Sequence, residues 1–419
     1  MVTKTVLDNG IRVISEHIPH LHSASIGVWV ATGSRHERES ERGISHFIEH
    51  MLFKGTERRS ARDIAREIDS VGGVLNAFTS REHTCYYAKV LDSFLPKAVD
   101  LLADIMLNSV FAEDEVEKER QVILQEIGMI EDTPDDLIHD LFARNFWPGH
   151  PLGKPIIGST ESVSSFTGTM ARDYRKRRYI PGDIIISAAG RVDHDELVKL
   201  LAPFAALAPG KTEDDDSGAP VPTRGVERFD RELEQVHLCL GTRGISHTHT
   251  DRHAGYLMNT LLGSGMSSRL FQEIREQRGL VYSVYSYLSP FADTGYLVVY
   301  AGAEAARIGE VVDLTLAELL RLKREPVPAE ELESARNHFS GHLLLSLESS
   351  ENRMTRLAKT ELYFGRNIPV EELLEAFRQV TAEDVLALAN DLFDDSSLSL
   401  ALIGRVADIP LGPDRVTLS

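Results

Sequence analysis

GISHFIEHMLFKGT, residues 43–56, decides how the rest of the chain is read. Its core, His46-Phe47-Ile48-Glu49-His50, sets two histidines four apart with a glutamate directly before the second. The order H-x-x-E-H reverses the H-E-x-x-H zinc motif. Read as a helix ending near Gly55, the stretch puts His46 and His50 on one face, with Glu49 beside them. Two imidazoles on one rigid element, with a carboxylate able to take a proton from water, suit a zinc site. Such a site also needs a third ligand and an open position. In a chain with 16 histidines the spacing arises by chance at odds of about a few per cent, and the motif is then a solvated helix face.

A third ligand is offered by DEVEKERQVILQEIGMIED, residues 114–132. Glu119 and Glu126 are seven apart, two helical turns, and so share a face. Val122, Ile123, Ile127 and Ile130 form the expected core side. Taken alone, an acidic helix face is usually just solvated.

The 419 residues are too many for one typical domain and comfortable for two. A formal net charge of −19 argues against nonspecific binding to nucleic acid or to an anionic membrane. The N-terminal MVTKTVLDNGIRVISE has neither a signal-peptide core nor transit-peptide character, and no apolar run reaches a membrane span. With Cys85 and Cys239 as the only cysteines, a reducing compartment, the cytoplasm, is expected.

Residues 209–225, PGKTEDDDSGAPVPTRG, lack apolar periodicity and divide the chain into domains of 1–208 and 226–419. The halves look duplicated. Aligning Glu67 with Glu273 also aligns Ile68 with Ile274 and Gly73 with Gly279, and helix-pair segments follow in the same order in both halves. IRVISE, ASIGVWVAT, CYYAKV and YLVVYAGA read as strands, SARDIAREIDSVGG and SFLPKAVDLLADIML as helices. The fold class expected is α+β, two related domains each with an antiparallel sheet covered by helices.

H-x-x-E-H, followed 76 positions after His50 by Glu126 within E-R-x-V-I-L-x-E-I, resembles the inverzincins, the pitrilysin/insulinase-type zinc metallopeptidases. LDNGIRV, FKGT and LNAFTSREHTCYYAKV continue the resemblance across essentially the whole chain, closest to the two-domain, processing-peptidase-like branch. The resemblance implies His46, His50 and Glu126 as ligands of one Zn2+ per chain and Glu49 as general base. It implies a supporting role for Glu119, orienting a ligand histidine. It also implies that Asn76, Ala77 and Phe78 lie on an edge strand to which a peptide adds as a further strand. Arg275 and Tyr282, in FQEIREQRGLVYSV, match a family pair that grips substrate carbonyls. Taken singly, Arg275 is a surface helix residue and the 76–78 stretch an ordinary edge strand.

His247, His249 and His253, in HTHTDRH, lie in a polar connection without framing carboxylates and read as a solvated loop. Cys85 reads as packed. The second half has no H-x-x-E-H, and Ala335 stands where the repeat aligns Glu119. The reading is a zinc metalloendopeptidase acting on peptides or short unfolded segments. Its domains would form half of a clam-like chamber, in a homodimer whose sites are completed between chains. The alternatives are a non-catalytic structural relative and the catalytic subunit of a heterodimer.

Overall fold

The computed structural model describes residues 1–213 and 217–418, so residues 214–216 of the expected linker lie outside the described residues. Runs of β-branched and apolar residues build two sheets. The first contains β1 (Val2–Val6), β2 (Arg12–His17), β3 (Ser23–Val30), β4 (Val74–Thr79), β5 (Thr84–Leu91) and β6 (Ile184–Gly190), in the order β1-β2-β6-β3-β5-β4. The second contains β7 (Gly225–Asp230), β8 (Val236–Arg243), β9 (Val281–Pro290), β10 (Gly295–Ala303) and β11 (Ser399–Gly404), in the order β7-β11-β8-β10-β9. With β1 set aside the two orders correspond strand for strand. In both, one pair is parallel, β2 with β6 and β7 with β11, and the other neighbours are antiparallel. The repeat noticed in the sequence is therefore a repeat of topology.

Five helices of the first half matter here: α1 (Ile44–Leu52), α2 (Ala61–Asp69), α3 (Leu95–Asn108), α4 (Glu113–Glu131) and α5 (Pro134–Phe146). Ser60 starts α2 by accepting from the Asp63 N–H, while the Asp63 carboxylate reaches back to the Ser60 N–H, which satisfies two otherwise unpaired donors. On α4, Ile123 and Ile127 are buried as expected, but Val122 is exposed. The core takes a narrower stripe of this helix than its apolar residues suggest, formed by Val116, Glu119, Ile123 and Ile127.

The compact units do not follow the sequential division at the linker. One comprises residues 1–128, 155–216 and 345–367, the other 129–154, 217–344 and 368–419. Each half of the chain thus gives one helix to the other unit. In the first unit the helix Ser350–Phe364 lays Met354, Leu357 and Ala358 on Ile14, Trp29, Cys85, Ile185 and Ala189. In the second, α5 lays Ile138, Leu141, Phe142 and Phe146 on Cys239, Tyr296, Val298, Ala401 and Ile403. Both helices come close enough to their sheet to require glycine beneath them. A Cβ at Gly27 of β3 would stand 2.6 Å from Met354 Sδ, and one at Gly241 of β8 would stand 2.5 Å from Phe142 Cζ. No helix among the described residues is long and apolar enough to cross a membrane.

Candidate metal centre

The site grows from α1, whose apolar residues choose its orientation. Ile44, Phe47, Ile48, Met51 and Leu52 are buried, each contributing about 1.5–3 kcal/mol by leaving water. Phe47 packs edge-on against Phe166 with ring centroids 5.3 Å apart. The opposite face carries His46, Glu49 and His50. The start of the helix is held by Glu37, a buried carboxylate that accepts from the N–H groups of Gly43 (2.8 Å) and Ser45 (2.9 Å). Burial, the largest influence on Glu37, raises its pKa to about 7 against those hydrogen bonds. The Ser45 hydroxyl in turn meets the Tyr174 hydroxyl at 2.9 Å.

On this face the imidazoles lie with centroids 4.6 Å apart. His50 Nδ1 is engaged by Glu119 Oε1 at 2.7 Å, which leaves Nε2 facing Glu126 Oε2 at 3.8 Å. His46 Nε2 lies 3.9 Å from the same oxygen. One atom each from His46, His50 and Glu126 falls within 4.8 Å of the others, the only such grouping of three among the described residues. His247, His249 and His253 form none. His253 also departs from the loop expected for it: it stands in the first turn of the helix Arg252–Gly263, its ring edge-on to Phe377 at 5.0 Å.

These residues fit a zinc ion. Bonds of ~2.1 Å in a tetrahedral centre separate ligand atoms by about 3.4 Å, a few tenths of an ångström less than the 3.9 and 3.8 Å from Glu126 Oε2 to the two histidine nitrogens. Glu126 Oε2 is shielded from solvent and has no hydrogen-bond partner, and neither has His46 Nδ1. A buried oxygen left unbonded is costly unless something positive meets it. Burial, helped by the neighbouring His50, lowers the His46 pKa to about 4, so its ring is neutral at pH 7 and has a lone pair to give. For His50, burial works against the charged ring, but the hydrogen bond and charge of Glu119 outweigh it and raise the pKa.

Glu49 reaches across to β4, where the Thr79 hydroxyl donates to its Oε2 at 2.6 Å. Burial raises its pKa above the ordinary carboxylate value despite that bond, which moves it towards the range of a proton acceptor working near neutral pH. Glu119 is almost wholly buried, its second oxygen meeting Lys54 Nζ at 2.6 Å. Burial pushes its pKa up, but His50 and Lys54 together hold it below the ordinary value.

Thr79 stands at one end of β4, which among the described residues pairs only with β5 and is the edge of its sheet. Asn76 and Ala77 lie on this edge. The Ala77 N–H bonds to the Asn76 side-chain oxygen at 2.8 Å, a local arrangement that occupies a main-chain donor at the open side. Phe78 is turned inward, its ring edge-on to Trp29 at 5.5 Å. Cys85, on β5, is free and buried.

In the second unit Arg275 and Tyr282 are brought together. The guanidinium lies over the Tyr282 ring at 5.1 Å and over Phe271 at 4.7 Å. Tyr282 is 80% exposed. Arg275 sits in Phe271–Glu276, a segment wound with a wider turn than an α-helix, a distortion found often at functional positions.

Residues 12–160 match the family described as insulinase (peptidase family M16), and residues 165–339 match its companion, described as the peptidase M16 inactive domain. The chain belongs to peptidase family M16. It is 41% identical over 413 residues to the uncharacterized zinc protease YmxG of Bacillus subtilis (strain 168), covering 98% of this chain and 100% of the relative. It is 44% identical over 402 residues to an uncharacterized zinc protease of Mycobacterium leprae, covering 94% and 89%. In structure it is similar to the M16 inactive domain of Pseudomonas fluorescens (TM-score 0.90, 20% identity, 96% and 98% covered). A protease of Helicobacter pylori is comparable (0.88, 23%, 96% and 99%). These two likenesses concern the fold, two sheets with helices, of the α+β class expected.

Lys54, Thr79 and Glu37 were not singled out as site residues in the sequence. Lys54 stands in the FKGT that carries part of the M16 resemblance, four residues after His50, and that helical spacing was the available signal. Thr79 and Glu37 act through contacts that no local spacing encodes.

Proposed function

We propose that the chain is a zinc-dependent endopeptidase hydrolysing peptides or short unfolded segments. One observation carries this reading: a Glu126 oxygen without a hydrogen-bond partner faces the nitrogens of His46 and His50, with the Glu49 carboxylate on the same helix face as those histidines. His46, His50 and Glu126 would hold one zinc ion per chain, the set keeping a net charge of +1. Zinc held there would supply Lewis acidity to the scissile carbonyl and to the attacking water. Glu49, oriented by Thr79, takes the water's proton and delivers it to the leaving amine. Glu119 fixes the His50 ring through Nδ1, so that Nε2 faces inward.

The substrate is proposed to add to the open edge of β4, displacing the Asn76 oxygen from the Ala77 N–H and bonding that donor itself. Such binding reads backbone more than side chains, which suits extended peptides. Arg275 and Tyr282 would grip substrate carbonyls and steady the charge that develops during attack. We assign them to a second copy of the chain, in a homodimer that completes each site between subunits. Two free, buried cysteines suit a reducing compartment, and we place the enzyme in the cytoplasm.

Glu49→Gln tests the chemistry. The amide keeps the size and the Thr79 contact but cannot accept the water's proton. The variant should retain zinc, measured by metal analysis, while losing cleavage of an unstructured peptide. Substantial turnover in a preparation free of host proteases would remove Glu49 from its role, and a parent protein that holds no zinc would remove the metal centre.

A further inference from the structure

We infer that Lys54 is a positioning residue of the metal centre, the outer member of a Lys54–Glu119–His50 relay; this rests on the metal-centre reading above. The relay is continuous. Lys54 Nζ lies 2.6 Å from Glu119 Oε2, and Glu119 Oε1 lies 2.7 Å from His50 Nδ1. Each carboxylate oxygen therefore has one donor, and the pair of donors removes the carboxylate's freedom to swivel. With His50 alone, one oxygen of a side chain only 4% exposed would lack any charged partner, the condition under which a buried carboxylate is most costly.

The position of Lys54 is itself held. Helix α1 ends at Leu52, the Phe53 N–H bonds the His50 carbonyl, and the Lys54 N–H bonds the Met51 carbonyl at 3.1 Å. Lys54 is thus one turn beyond His50 on the same face. The chain beyond it is pinned to α3 by Asp104, which accepts from the Thr56 hydroxyl, Arg58 Nε and Arg59 Nη1. Backbone bridges from Gly55 to Ser60 and from Thr56 to Ser109 close the same loop. An ammonium delivered from an unanchored loop would spend rotamer and backbone freedom to reach Glu119. Here the loop is already ordered, and Lys54, 30% exposed at its side chain, reaches inward from it.

The test measures metal affinity rather than turnover, by competition with a chelating dye for zinc, with the visible spectrum of the cobalt-substituted protein as a second readout. Lys54→Met should weaken zinc binding by about ten- to a hundredfold, as loss of an outer partner of a ligand histidine does, and should alter the cobalt bands. Lys54→Arg, which keeps the charge, should hold zinc more tightly than Lys54→Met. In a Glu119→Gln background, where the relay is already broken, Lys54→Met should cost less than about threefold, since the two changes remove one interaction. Should Lys54→Met fail to fold, Lys54→Gln carries the same three comparisons. Zinc affinity within about threefold of the parent for the neutral variant, or an undiminished loss in the Glu119→Gln background, would overturn the relay. A parent that binds no zinc would instead overturn the metal centre itself.

Discussion

Asp104→Asn tests whether the loop behind the metal centre is held by charge. The Asp104 side chain has no exposed surface, covered by arginines rather than sunk in an apolar core. Its two oxygens accept from Thr56 Oγ1 (2.8 Å), Arg58 Nε (2.9 Å), Arg59 Nη1 (2.7 Å) and Asn108 Nδ2 (2.9 Å). Burial pushes the carboxyl pKa up, but the bonds from Asn108, Arg59, Thr56 and Arg58 outweigh it and hold it at about 2, against an ordinary 3.8. At 1.36 kcal/mol per pH unit the difference corresponds to about 2.5 kcal/mol. The sign follows from the depressed value: the contribution is complete above about pH 4 and is lost as pH falls through about 2. Asparagine keeps the shape but turns one acceptor into a donor facing other donors. The expected loss at pH 7 is therefore about 2–3 kcal/mol, or about 5–10 °C in Tm for a domain of 150–250 residues. Scanning calorimetry at pH 7 should show this shift in the transition of the first unit, and the gap between parent and variant should narrow below about pH 4. A gap under about 1 °C at pH 7, or one unchanged down to about pH 2.5, would refute the reasoning.

Three further outcomes are expected. Ala77→Pro removes the edge donor without touching the β5 ladder, so zinc content should stay at the parent level while KM for an extended peptide rises about tenfold; an unchanged KM would move the substrate off this edge. Gly241→Ala places a methyl against Phe142 and should destabilise the second unit by about 1–3 kcal/mol in calorimetry, while Gly241→Ala with Phe142→Leu should recover part of that loss; no loss in the single variant would mean that α5 yields freely. Mixing Glu49→Gln with Tyr282→Phe, each inactive alone, should restore about a quarter of parental activity once subunits exchange at random. Demonstrated exchange without any recovery would place the pair in the same chain as the site it serves, or end the dimer proposal.

The parts of this protein legible in its sequence are those encoded at short range. His46, Glu49 and His50 share a face because helical spacing puts them there, and Glu119 and Glu126 do so for the same reason. Which helix meets which was supplied by the family resemblance; periodicity alone left both as solvated faces. Val122 shows the limit of apolar patterning, since a helix can carry more apolar residues than its stripe buries. His253 shows another, because a polar stretch can run straight into a helix. The exchange of α5 and Ser350–Phe364 was invisible. An amphipathic face specifies that a helix must be covered, and nothing in it names the sheet that does the covering. Gly27 and Gly241 were the only trace, legible only once the helices above them were known.

That exchange makes the chain pass between its units five times rather than once. A break in 209–225 would sever only one of those passages, so a nicked chain should stay whole under native conditions while running as two fragments once denatured. For the same reason neither half is a self-sufficient piece. Residues 1–208 lack the helix that covers Trp29 and Cys85, and residues 226–419 lack the one that covers Tyr296 and Ile403. Each half, expressed alone, would present a naked apolar sheet face, a surface prone to sticking. Expressed together, the halves hold the missing parts of one another and should assemble without a covalent link.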